Sequence, residues 1–409
     1  MRILILCHRF PFPPKRGGKI RPFNVIQHLA KSHEVVVCSL ARSEQERAEG
    51  QGIGEYCHGA HSFTVNESVQ WARMITRLPT TTPSSMGYFY SREMARSVDS
   101  LLASEPFDLI FVHCSSVAPY VVNVTSIPKV LDFGDMDSQK WLDYRQFKPW
   151  PLSMGYWLEG RKMERAERLL AEKFDMCTAT THAEWAHLES LGAARQTGWF
   201  PNGVDSEFFS PDGQTYDPQR ICFVGRMDYF PNQQAMFEFC EHTWPKLRQA
   251  MPELNLDIVG ADPSAAVREL ARLPGVTVTG SVPDVRPFVR RAMAMVAPLR
   301  IARGTQNKIL ESMALGVPVV TTGLAAGGVD AVAGEHLLVA DTVDEQIAAL
   351  LKLHDNPEYR SDLANKARER VLDNHSWVNS MRRLDQILDR LLAGATRRNH
   401  NSQLLESLN

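Results

Sequence analysis

The chain has 409 residues, too many for one ordinary core and enough for two or three domains. Hydrophobic residues make up 44% and charged residues 22%, the balance of a soluble globular protein. The net charge of −2 argues against a nucleic-acid partner, which would call for a strong basic excess.

The apolar run after Arg2 is only about five residues, shorter than a signal-peptide core, and reads as a buried first strand. No stretch approaches the roughly 18 apolar residues of a membrane span. The seven cysteines are odd in number and form no C-x-x-C pair or zinc spacing, which fits a reduced compartment. Together these place the protein in the cytoplasm.

In chain order, a strand is predicted over 3–7, a helix over 21–31 and a strand over 34–40. Strands follow at 109–113, 129–131 and 176–179, the last after a charged helix over 155–174. Residues 192–218, rich in glycine and proline and without periodicity, read as an interdomain linker. A second alternation then begins. Strands are predicted at 220–224, 254–259, 276–279, 294–297, 318–321 and 336–339, with helices at 232–250, 264–272, 285–292 and 305–314. Trp377, Met381, Leu384, Leu388 and Leu391 recur at three- and four-residue steps, the stripe of a long amphipathic helix. The βα rhythm argues for parallel sheets with helices on both faces, in two tandem doubly wound domains. Such sheets bind ligands at the carboxyl ends of their strands, which here would face each other across a cleft.

Four stretches carry candidate chemistry. The loop after the first strand, His8 to Lys19, holds Gly17 and Gly18 before a helix, with Lys15, Arg16 and Lys19 adding positive charge; it suits an anion, or is a plain proline-stiffened loop. It is not G-x-G-x-x-G, which disfavours a dinucleotide-binding dehydrogenase. Phe223-Val-Gly-Arg-Met-Asp-Tyr-Phe-Pro-Asn232 places Gly225 and Arg226 at the end of a strand, where an anionic ligand would lie. The third stretch, from Ala297 to Val320, is the strongest. Its loop carries Arg300, Arg303 and Gly304 into a helix near Thr305, Gln306 and Asn307, with Lys308 and Glu311 on one helix face. A helix N-terminus beside Arg303 and Lys308 suits a diphosphate, and Glu311 suits two ribose hydroxyls. In the fourth, Asp132, Asp135 and Asp137 cluster after a strand; Asp137 or Ser138 capping a helix, with contacts to acceptor hydroxyls, is favoured over a metal site. His113, at a strand end, points toward the same region. Residues 140–168 mix basic and aromatic side chains, which suits either a lipid headgroup surface or a solvated helix with aromatics in the core.

These residues resemble a GT-B glycosyltransferase of the glycosyltransferase-4 group over most of the chain. Phe200-Pro-Asn-Gly-Val-Asp205 resembles its N-G-V-D segment, Val224-Gly-Arg226 its V-G-R turn, and Leu310-Glu-Ser-Met-Ala-Leu-Gly-Val-Pro-Val319 its E-A-M-A-x-G-x-P-V helix. Two longer phrases, 227–232 and 298–311, are similar to the sugar transferases of exosortase/PEP-CTERM exopolysaccharide systems. The resemblance implies that Glu311 is the second of the group's paired glutamates, on the donor ribose, and that Lys308 and Arg226 bind donor phosphates. Arg303 stands where the group has its first glutamate. The group transfers sugars with retention and requires no metal or other cofactor.

The reading is therefore an α/β chain of GT-B type: residues 1–200 an acceptor domain, 201–375 a nucleotide-sugar domain, 376–395 a helix crossing back to the first, and 396–409 a frayed tail. Arg226, Lys308, Glu311 and His113 are the expected catalytic residues. Gly17, Gly18, Gly225, Arg303, Gly304, Thr305, Gln306 and Asn307 are expected on the donor, and Asp135, Asp137 and Lys19 on the acceptor. The expected acceptor is a lipid-linked saccharide in exopolysaccharide biosynthesis, with peripheral contact at the inner membrane surface. A nucleotide-sugar epimerase and a non-catalytic donor-binding scaffold are the alternatives.

Overall fold

The computed structural model describes residues 1–14 and 17–406, with side chains through residue 394. Lys15 and Arg16, assigned above to the first loop, lie outside the described residues. The chain divides into two compact units, Met1–Phe200 with Met381–Asn409, and Pro201–Ser380.

The first unit is built on seven strands: β1 (Arg2–Cys7), β2 (Glu34–Ala41), β3 (Gly59–Thr64), β4 (Leu109–His113), β5 (Lys129–Gly134), β6 (Met176–Ala179) and β7 (Thr197–Trp199). All pair in parallel, in the order β3-β2-β1-β4-β5-β6-β7. The second unit has β8 (Asp217–Val224), β9 (Asn255–Val259), β10 (Val276–Gly280), β11 (Ala292–Ala297), β12 (Val319–Thr321) and β13 (Leu338–Val339), also parallel, in the order β10-β9-β8-β11-β12-β13. These are the doubly wound sheets expected from the alternation.

The central strands are buried on both faces. Ile3 through Cys7, Leu109 through Val112 and Ala292 through Ala297 are almost wholly inaccessible, so they read as unbroken apolar runs. In each sheet the strand order reverses at one place, between β1 and β4 and between β8 and β11. The loops that leave those strands diverge to opposite faces, which opens a crevice at their carboxyl ends.

Several elements differ from expectation. The first helix spans Gly17–Leu29, so Gly17 and Gly18 form its opening turn rather than a loop before it. The helix predicted over 232–250 runs without a break from Phe230 to Ala250, with one wider turn at Phe239–Thr243. The helix expected from Thr305 begins at Asn307. Residues 192–218 contain β7, which completes the first sheet. The last helix, Trp377–Glu406, stays helical through most of the stretch read as a frayed tail. Its apolar stripe (Met381, Leu384, Ile387, Leu388, Leu391) is buried, with Ile387 against Gly198.

Six of the seven cysteines are buried, and burial pushes their thiols up, to about 12 for Cys38, Cys114 and Cys240. They act as small hydrophobic residues.

The turn after β8 is stitched to β9: Gly225 N–H donates to Val259 O at 3.0 Å, and Met227 N–H to Ala261 O at 2.8 Å. Gly260 is required there, since a Cβ on it would sit 1.8 Å from Gly225 O. Gly260→Ala is expected to destabilise the protein by about 2–4 kcal/mol, because main chain rather than a side chain must move. A thermal-denaturation comparison with wild type checks this.

Candidate active site

The register of the first sheet places Cys7, His113, Asp132 and Thr178 in one row across β1, β4, β5 and β6. Neighbours at one level of a parallel sheet share a face, so their side chains meet. His113 Nδ1 lies 2.8 Å from Asp132 Oδ2, and Thr178 Oγ1 donates to Asp132 Oδ1 at 2.9 Å. Arg21, from the first helix, closes over the row and donates to both carboxylate oxygens at 2.8 and 2.9 Å. Its remaining nitrogen donates to Phe200 O at 2.8 Å, and its guanidinium stacks 3.5 Å from the Phe200 ring centroid.

Asp132 is fully buried, which alone would raise its pKa. The Arg21 charge and the hydrogen bonds from His113 and Arg21 prevail and hold the carboxyl well below the usual range. An ionised carboxylate only accepts, so the His113 proton sits on Nδ1 and Nε2 is the other ring nitrogen. His8, at the end of β1, lies 5.8 Å from His113 between ring centroids. Burial, with the Arg9, His113, Arg42 and Lys140 charges around it, lowers its pKa.

The three aspartates do not converge. Asp135 accepts from Thr180 Oγ1 at 2.9 Å, while Asp137 occupies the first turn of the helix Asp137–Arg145. Burial raises the Asp137 pKa, partly offset by Lys140. Neither Asp137 nor Ser138 caps that helix as expected. Its opening amides are taken from outside, Ser138 N–H by Glu167 at 2.9 Å and Met136 N–H by Glu184 at 2.8 Å. Burial raises Glu167 to about 8. Among the described residues no group of three His, Cys, Asp or Glu side chains is placed to hold a metal ion. Lys19, expected on the acceptor, is buried and paired with Glu46 at 2.7 Å.

In the second unit, the β8 turn and the loop after β11 meet at the point where the strand order reverses. Lys308 Nζ donates to Asn232 Oδ1 at 2.6 Å, and Asn232 Nδ2 donates to Arg226 O at 2.8 Å. The ammonium also lies 4.3 Å from the Phe223 ring centroid. Gly225 makes this possible: a Cβ there would sit 2.9 Å from Lys308 Nζ and 2.7 Å from Asn232 Nδ2. Burial lowers Lys308 to about 7 and raises Glu311 to about 7, and each charge pulls the other back toward its ionised form.

Arg226 is held by Asp228 at 2.6 Å and Asp262 at 2.5 Å, which raises its pKa. The helix Asn307–Ala314 starts without a side-chain cap. Before it, Gln306 Nε2 donates to Arg303 O at 3.0 Å, and the Thr305 hydroxyl is buried without a protein partner. Asn307 accepts from Asn202 at 3.3 Å. Gly304 carries a φ of 59° and packs on Gly328, where a Cβ would meet Gly304 O at 2.0 Å. The structure thus gathers Gly225, Arg226, Lys308 and Glu311, while His113, Asp135 and Asp137 belong to the first unit.

Residues 16–208 match the Glycosyltransferase Family 4 domain, and residues 218–356 match Glycosyl transferases group 1. The protein is a glycosyltransferase with a GT-B fold. The transferase is similar in structure to sucrose-phosphate synthase from Thermosynechococcus elongatus, with a TM-score of 0.70 and 16% identity over 96% of this chain and 100% of that one. Anabaena HepE in complex with UDP-glucose gives 0.67 and 15% over 96% and 100%. A Rickettsia africae glycosyltransferase gives 0.66 and 12% over 96% and 98%. No curated protein sequence matches the transferase.

Three polar residues had no assigned role in the sequence: Arg21, Thr178 and Asn232. Arg21 is 111 positions from Asp132, and nothing local marks that pairing. Asn232 closes the Met227–Asn232 phrase, and its pairing with Lys308 spans 76 positions.

Asp132→Asn strands the Arg21 charge in the core and is expected to cost about 3–5 kcal/mol. The folded pKa of Asp132 is depressed, so its contribution is complete above the unfolded value near 4 and is lost as pH falls through the lower folded value. The stability gap between wild type and variant should therefore be flat from about pH 8 to 5 and shrink in acid. Urea denaturation across pH checks both.

Proposed function

We propose that the enzyme moves a sugar from a nucleotide-sugar donor to a saccharide acceptor, with the second unit holding the donor. The Lys308–Asn232 contact carries this reading: it fixes an ammonium over the crevice at β8 and β11, with Glu311 one helical turn on. Lys308, Arg226 and the open amides of the Asn307–Ala314 helix would take the diphosphate. Glu311 would accept from the ribose hydroxyls. Arg303 would brace the phosphate, beside Gly304, Thr305, Gln306 and Asn307.

Arg226 would exchange Asp228 and Asp262 for phosphate oxygens as donor binds. As the sugar–phosphate bond breaks, charge grows on the departing diphosphate. Groups already aimed at it stabilise that state without reorganising. The anomeric configuration is retained in this reading. HepE is similar in fold and has been solved with UDP and with UDP-glucose, which makes uridine the first base to test.

On the first unit, His113 together with Asp135 and Asp137 would meet the acceptor or the transferred sugar. Lys19, committed to Glu46, is left out. The phrases at 227–232 and 298–311 support a lipid-linked acceptor in exopolysaccharide assembly, reached by peripheral contact with the inner membrane surface from the cytoplasm. No helix of the described residues is long and apolar enough to cross a membrane.

Thermal stability measured with UDP-, GDP- and dTDP-sugars tests the donor site. One nucleotide class should raise the midpoint by roughly 3 °C or more well above its Kd, and Lys308→Ala or Glu311→Ala should abolish the shift. No shift with any of the three classes would overturn the assignment.

The pH dependence follows from the same pair. Donor binding uses protonated Lys308 and ionised Glu311. Acid neutralises the raised Glu311, and alkali neutralises the lowered Lys308. Donor affinity should peak near pH 7 and fall on both sides, read as the donor KM between about pH 5.5 and 9.

A further inference from the structure

The helix Glu67–Thr76 is built inside out. Its buried residue is Gln70, 2% exposed, whose side-chain amide donates to Tyr90 O at 3.2 Å. Arg73 turns to the same carbonyl. Val69, Trp71, Ile75 and, just beyond the helix, Leu78 face outward, the last two 57% and 58% exposed. A helix gains little by burying an amide while Trp71, Ile75 and Leu78, four and three residues apart on one face, stay in water.

A second apolar stretch adjoins it. Trp150 is 80% exposed, and Leu152, Met154, Trp157 and Leu158 are exposed at the start of the helix Leu152–Lys173. That helix is fastened to the segment after the first: Lys162 Nζ donates to Arg77 O and Leu78 O at 3.2 and 2.7 Å, and Glu159 accepts from Ser85 N–H and Oγ at 2.8 and 2.9 Å. One turn further on, Arg161, Arg165 and Arg168 are exposed, Arg161 paired with Glu164 at 2.6 Å and Arg168 beside Glu172 at 4.0 Å, surface pairs that another anion can replace at little cost. Among the described residues, nine of the exposed large hydrophobic side chains fall in these two short stretches.

We infer that this face of the first unit docks on an anionic lipid bilayer, the apolar side chains entering the headgroup boundary and the arginines pairing with lipid phosphates. Apolar tip and basic flank on one rigid pair of helices fit a bilayer surface, where apolar depth and negative charge lie in adjacent layers. The reading deepens the proposed lipid-linked acceptor by giving it a surface, and its test uses neither donor nor acceptor, so each can fail alone.

The full chain is floated with vesicles of phosphatidylglycerol and phosphatidylcholine, or of phosphatidylcholine alone. Wild type should partition onto the anionic vesicles and release with salt. The pairs Trp150→Ser with Leu152→Ser, and Ile75→Ser with Leu78→Ser, should each lose roughly tenfold or more. Arg161→Gln with Arg165→Gln should remove most of the salt dependence. The melting midpoints should match wild type, since all six positions are exposed. Equal binding to both vesicle types would overturn the inference, as would variants that bind like wild type. So would a solution dimer that the serine pairs convert to monomer, which would assign the face to a second copy of the chain.

Discussion

The controlling constraint is the burial of two all-parallel sheets on both faces. Along β1, β4 and β11 no water reaches the side chains, so almost nothing polar is tolerated between strand ends. Polar chemistry is driven to the carboxyl ends and gathers where the strand order reverses, at β1 and β4 in one sheet and β8 and β11 in the other. His113 and Lys308 both stand at such places, one at the last residue of its strand, the other in the first turn of the helix that follows.

The two units treat a guanidinium in opposite ways. Arg21 is sealed against Asp132, with Phe200 closing the third side, and its charge is permanently spent on architecture. That arrangement orders three strand ends and sets the orientation of the His113 ring. Arg226 is one-third exposed and held by two exposed aspartates. Water can replace those carboxylates at little cost, so another anion can as well. Lys308 and Glu311 fall between these cases. Burial brings both to about 7, and the charge of each pulls the other back toward its ionised form.

Much of the fold was legible because fully buried strands are continuous apolar runs. Leu109–His113 and Met176–Ala179 were bounded correctly from sequence for that reason. Gly59–Thr64 was missed because it is a polar edge strand, and Thr197–Trp199 because three residues among glycines carry no period. The stretch around Glu67–Thr76 has apolar residues at helical spacing, but they point to solvent, so no pattern of burial reveals the helix. The loop residues near Lys308 and Arg226 were found because glycine and basic residues cluster there within a few positions. The Arg21–Asp132 pair was not, because a contact across 111 residues exists only once the sheet has set its register. The helix starting at Asn307 rather than Thr305 has a local cause. Gly304 turns the chain to positive φ, and Gln306 leaves the helical region before the ladder can form.

The buried cysteines have a use unrelated to sugar transfer. Their thiols are both inaccessible and held protonated, so a thiol reagent can reach them only when the surrounding sheet opens. Cys7, Cys38 and Cys177 lie in strands of the first sheet; Cys222 lies in a strand of the second, and Cys240 on a helical turn in the same core. The chain therefore carries a separate internal clock in each unit. The labelling rate of each set times the breathing of its own sheet, without any probe being introduced.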